Sequence, residues 1–187
     1  MKYKECLEYI RSDYYRISGR KNDSIIRMYI STFLDVGYRF MFWYRLSHWD
    51  SVFNFFPRIL YRYISMKHHI DIERKTKIGY GFKILHGGPI VVNASATIGN
   101  NVNICQFSTI GSLVNNAAQI GDNVYIGPSV CIVENVSIGD NATIGAGSVV
   151  VKDVPMDSTV AGNPAKIISM KTPGRFVWKR WDMSWNK

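Results

Sequence analysis

The sequence predicts a mainly β protein in which a parallel β-helix, a solenoid of short strands, follows a small α-helical segment. Three observations point there. An Ile or Val recurs at every sixth position beyond Asp71, a small or β-branched residue stands two positions ahead of most of them, and residues 1–69 have a different, helix-like spacing of aromatic and basic residues. No helix has a period of six and a flat strand has a period of two. Three hexads making one triangular turn satisfy that period, with the Ile or Val pointing inward and Gly or Asn relieving the backbone at the corners.

The elements follow in order. Residues 1–69 contain Gly19, Gly37 and Pro57 as their only Gly or Pro, and read as two to four helices. Ser12-Asp13 and Asn22-Asp23-Ser24 each suit a helix start, and Pro57 suits the first turn of another helix. The hexad anchors are Ile72, Ile78 and Ile84, then Val92, Ile98, Ile104 and Ile110, then Ile120, Ile126, Ile132, Ile138, Ile144 and Val150. At about 4.8 Å per coil they make roughly four coils over residues 70–168, ahead of a basic, aromatic tail at 169–187. The phase slips twice, by two residues at His86-Gly-Gly-Pro89 and by four within 111–119. A solenoid stacks uniformly unless residues are extruded, and extruded loops are where such folds place function. Asp71 and His86 are 15 residues apart, close to one coil, which sets them on neighbouring coils near one edge.

Composition narrows the classes. With 187 residues, 47% hydrophobic, the chain is long enough for a substantial core and is not a disordered one. Cys6, Cys105 and Cys131 form neither a disulfide framework nor a CxxC site, which favours a reducing compartment and a cytoplasmic location. The start, Met1-Lys-Tyr-Lys-Glu, lacks a secretory apolar region, and the most apolar run, 33–44, carries Asp35 and Arg39. A net charge of +9 suits a nucleic acid, a membrane surface or a phosphorylated ligand, but no nucleic-acid motif accompanies it.

Several stretches carry a resemblance: Arg11-Ser-Asp-Tyr-Tyr-Arg16, Trp43-Tyr-Arg-Leu-Ser-His-Trp49, Leu85-His-Gly-Gly88, Ile144-Gly-Ala-Gly-Ser-Val-Val150, Lys152-Asp-Val-Pro155 and Ala161-Gly-Asn-Pro-Ala-Lys166. The chain resembles the hexapeptide-repeat acyltransferases, and among them the serine acetyltransferases and related sugar O-acetyltransferases. The resemblance implies a left-handed coil, acetyl-CoA as acyl donor, no metal, and a homotrimer whose donor groove lies between subunits. It implies His86 as general base on an acceptor hydroxyl and Asp71 as the carboxylate that orients the imidazole. Gly111, Ser112, Gly127, Pro128, Gly145 and Ala146 would line the donor groove, with Lys152 and Lys166 toward its phosphates. Zinc-binding relatives hold their metal with three coil histidines, whereas this coil has one.

The acceptor is read from departures. Serine acetyltransferases carry an aspartate before the histidine, where this chain has Leu85, and a charged Arg-His pair where this chain has Asn115-Asn-Ala-Ala-Gln119. A zwitterion needs ion pairing, whereas a sugar needs amide and hydroxyl partners. Gln106, Asn115 and Asn116 therefore suggest a saccharide acceptor, in surface-polysaccharide or O-antigen assembly. Serine is the alternative, and a non-catalytic scaffold is a third reading. The tail 175–185 suggests cover for the coil or a peripheral membrane contact.

Overall fold

The computed structural model describes residues 1–114 and 116–186. Among them, four α-helices come first: α1 (Tyr3–Ser18), α2 (Ile25–Ser31), α3 (Val36–Leu46) and α4 (Phe55–His68). Fifteen short strands follow, from β1 (Ile70–Ile72), β2 (Lys77–Ile78) and β3 (Lys83–Leu85) to β15 (Lys166–Ser169). They form three parallel sheets, the walls of a left-handed triangular coil.

Sheet one stacks β1, β4 (Ile90–Val92), β7 (Thr109–Gly111), β10 (Cys131–Val133) and β13 (Val149–Val150). Sheet two stacks β2, β5 (Thr97–Ile98), β8 (Gln119–Ile120) and β11 (Ser137–Ile138). Sheet three stacks β3, β6 (Asn103–Cys105), β9 (Tyr125–Ile126), β12 (Thr143–Ile144) and β14 (Thr159–Ala161), closed by antiparallel β15. The anchors align in register, Ile84 on Ile104 on Ile126 on Ile144. Each of the thirteen is no more than 7% exposed. The coil continues beyond the roughly four turns expected, because Val154 bridges to Ile138 and Val160 pairs with Ile144. The step from Val150 to Val154 breaks the six-residue period and hides that last coil from a period search.

A solenoid leaves its first coil open, and the helices close it. Phe40, Tyr44, Tyr61 and Ile64 enter the same core as Ile70 and Ile72. Tyr44 Oη donates to Thr76 O at 2.7 Å and Ser65 Oγ to Ile70 O at 2.8 Å, while Tyr61 Oη reaches Ile72 O. Gly37 lets α3 approach β3 so closely that a Cβ there would meet the Ile84 carbonyl. Ser24 caps α2, as its sequence context suggests, by accepting from Arg27 N. Ser12-Asp13 is not a helix start. It lies inside α1, where Ser12 Oγ accepts from Gly81 N and Asp13 Oδ1 from Phe82 N, both at 2.8 Å. Those side chains serve the coil's backbone rather than their own helix. Asp13 also holds Arg45 of α3 in a buried ion pair, 2.9 Å to Nε.

The tail folds back on its own chain. Gly174 N donates to Asn141 O, Asn103 Nδ2 to Phe176 O, and Asn101 exchanges two bonds with the Trp181 backbone. Trp181 and Trp185 then pack edge-on against Tyr15 of α1. No helix among the described residues is long and apolar enough to cross a membrane.

Candidate active site

His86 stands at the corner where sheet three turns into sheet one. The extruded loop is tightly wound, with φ of 68° at His86, 49° at Gly87 and 145° at Gly88. His86 adopts a left-handed backbone unusual for a non-glycine residue. At Gly87 a Cβ would stand 2.9 Å from that of Val36, so glycine lets the loop lie against α3. The imidazole is exposed and lines a cavity of about 330 Å³ with Arg16, Lys83, Asn103, Tyr125 and Trp178.

The same corner repeats on later coils. Counting two residues past each stacked Ile brings Gln106, Pro128 and Ala146 into line above His86. Backbone bonds hold that edge: Phe107 N to Pro89 O, Ser129 N to Gln106 O at 3.0 Å, and Gly147 N to Pro128 O at 2.9 Å. Gly127 and Gly145 sit one position earlier, each donating N–H to the next coil. Four of the residues singled out for a donor groove thus share an edge with His86. Gln106 joins them, and its Oε1 is buried with no hydrogen-bond partner. Lys152 and Lys166 are exposed near the top of the coil, where Ala165 N bonds Val149 O.

Asp71 lines a different cavity. It is the exposed middle residue of β1, in register with Val91, and lines a cavity of about 590 Å³ on the outer face of sheet one. Gly111 and Ser112 line that second cavity too. Ser112 Oγ donates to Glu134 Oε2 at 3.0 Å and accepts from the Val114 and Asn116 backbones, so it organises the second extruded loop. Asn116 is exposed on that loop, and Asn115 lies outside the described residues. Among the described residues no hydrogen bond joins Asp71 to His86, which stand on different cavities of this one chain. Among the described residues no three or more His, Cys, Asp or Glu gather into a group able to hold a metal.

His48 and Cys105 have structural settings. His48 bonds Tyr44 O and Arg74 O, each at 2.8 Å, and burial lowers its pKa. Cys105 is buried against Tyr125 Oη, and burial pushes its thiol up.

Sequence reading did not find Arg16, Lys83, Tyr125, Phe176, Trp178 or Lys179 as neighbours of His86. A signal for part of that wall was present: residues one ahead of stacked anchors must form a column, and Lys83, Asn103 and Tyr125 do so on sheet three.

Comparison with known proteins agrees with this fold. The family described as bacterial transferase hexapeptide (six repeats) matches residues 117–152. A serine acetyltransferase from Neisseria gonorrhoeae, solved in complex with serine, is 30% identical and superposes with a TM-score of 0.72, over 87% of this chain and 69% of that one. This chain belongs to the hexapeptide-repeat acyltransferases. Within them it is similar to a serine acetyltransferase solved in complex with CoA, with 28% identity and a TM-score of 0.72 over 89% of this chain and 71% of that one. Serine acetyltransferase 2 of Arabidopsis thaliana is 37% identical over 138 residues, 71% of this chain and 43% of the relative. The chain thus spans less than half the length of that curated relative. These similarities correct the saccharide acceptor expected from Leu85 and the 115–119 loop, because the relatives and solved structures compared are serine acetyltransferases.

Proposed function

We propose that this chain transfers an acetyl group from acetyl-CoA to the hydroxyl of L-serine, with His86 as general base. The observation that carries the reading is the placement of His86: exposed at an extruded corner, on a cavity, and in line with the small residues of the coils above. Relatives solved with CoA and with serine supply the donor and acceptor.

A hydroxyl is a weak nucleophile at neutral pH, whereas an imidazole titrates close to it. His86 takes the hydroxyl proton as the oxygen attacks the thioester carbonyl. Collapse of the tetrahedral intermediate breaks the C–S bond, and the proton passes to the departing thiolate. By the family resemblance, Asp71 of β1, in register with Val91 on the strand that the His86 loop enters, is the carboxylate assigned to orient the imidazole. Gly127, Pro128, Gly145 and Ala146 border the donor's path along the edge, and Lys152 and Lys166 face its phosphates. Gln106, one coil above His86 on this edge, is assigned to the acceptor, and Gly111, Ser112 and Asn116 border the site from a neighbouring copy. A cytoplasmic setting, where acetyl-CoA is available, goes with this reading.

The test is an acceptor assay. Purified full chain with acetyl-CoA and millimolar L-serine releases free thiol and forms O-acetylserine. Thiol release no faster with serine than with buffer overturns the serine reading.

The same reading includes a homotrimer. The Asp71 cavity is flanked by Leu113, 94% exposed, and Val114, 75% exposed, an apolar pair that a neighbouring copy covers. Sedimentation equilibrium should return three times the 21.4 kDa chain mass, and a monomer at micromolar concentration would refute it.

A further inference from the structure

We infer that the cavity beside His86 is a carboxylate subsite, in which Arg16, Lys83 and Lys179 receive the acidic end of the acceptor. The inference rests on the serine reading, and deepens it by assigning the amino acid's carboxylate to residues outside the 115–119 loop.

Arg16 is the core of the argument. Its residue is 2% exposed, yet among the described residues no carboxylate lies within ion-pair distance of it. Its Nη1 donates to Trp178 O and its Nη2 to Asn103 Oδ1, whereas its Nε is buried without a partner. A buried cation lacking a counterion is costly unless a ligand supplies one. Burial, reinforced by nearby Arg180 and opposed by Asp13, draws Arg16 down to about 10, so it remains charged at neutral pH. Lys83 is half-buried on the same cavity, and its pKa is lowered by burial and by Arg16. Lys179 closes the third side, its Nζ 3.0 Å from Ile17 O. Three cations and no acid line this cavity of about 330 Å³ next to the proposed base, the nearby carboxylates Asp13 and Asp35 lying outside its lining. A compact anion suits that space, and Lys152 and Lys166, near the top of the coil, remain for the donor's phosphates.

Steady-state thiol release with the full chain tests this, comparing L-serine with L-serinamide, which keeps the hydroxyl and amine and lacks the carboxylate. The native chain should favour serine by about ten- to a hundredfold in kcat/KM. Lys83→Met and Lys179→Met should each raise the serine KM by about tenfold, shrink that preference and leave the acetyl-CoA KM unchanged, with Lys179→Arg restoring it. Arg16→Lys should do the same if the tail stays docked, and the two lysine variants decide the matter if it does not. Equal use of serine and serinamide overturns the subsite, as does an effect on the acetyl-CoA KM in place of the serine KM, which would assign these cations to the donor's phosphates. If serine is not turned over at all, the proposed function fails, and the subsite is read separately. Tryptophan emission, to which Trp178 on the cavity contributes, is titrated with 3-hydroxypropionate, with Trp178→Phe identifying its share. A saturable change lost in Lys83→Met upholds the carboxylate site, and no change overturns it.

Discussion

Replacing His86 with Ala slows serine-dependent thiol release by about 10²- to 10⁴-fold, the range for loss of a positioned general base. Folding and donor affinity should persist, because the side chain is exposed and among the described residues makes no hydrogen bond to the coil. The backbone there has φ of 68°, which Ala tolerates poorly. His86→Asn is therefore the better companion, since Asn accepts a left-handed backbone and cannot act as a base at neutral pH. Both variants should show the same loss in kcat with little change in the acetyl-CoA KM. Retention of more than about a tenth of the native rate in the Asn variant would remove His86 as the base.

Arg45→Met should be the most damaging substitution for stability in the helical front. Arg45 and Asp13 have side chains 3% and 1% exposed, and the guanidinium also donates to Ile78 O at 2.8 Å and Gly79 O at 2.6 Å. Removing it strands a buried carboxylate and two coil carbonyls. Breaking a buried pair from one side costs about 3–5 kcal/mol, a fall of order 10 °C in Tm for a chain of this size. Calorimetry reads the shift directly. Asp13→Asn combined with Arg45→Met should cost less than the two single changes added, since the stranded charge is gone. A drop below about 2 °C in Arg45→Met would show that the pair does not secure the helices to the coil.

The coil was legible because its physics repeats. Each anchor must be apolar and β-branched to fill a triangular interior, so residues from Ile72 to Val150 announce one architecture many times over. The helix boundaries were less legible for the opposite reason. Ser12-Asp13 carries a helix-start signature, but tertiary bonds to Gly81 and Phe82 outweigh it, and α1 begins at Tyr3. The corner bearing His86 was readable from the phase slip alone. The wall around it was not, because Arg16 and Trp178 meet across 162 residues. The acceptor was misjudged on similar grounds: the absence of charged residues in 115–119 argued for a saccharide, while Arg16, Lys83 and Lys179 gather cations from three distant places.

The return of the tail to α1 also orders events during synthesis. The coil can assemble strand upon strand as the chain leaves the ribosome, each new rung templated by the one before. The wall formed by Phe176 and Trp178 must wait for residues made long after α1, and Arg16 has no tail carbonyl to meet until then. A nascent chain therefore has the residues of its scaffold early and those of this cavity wall late.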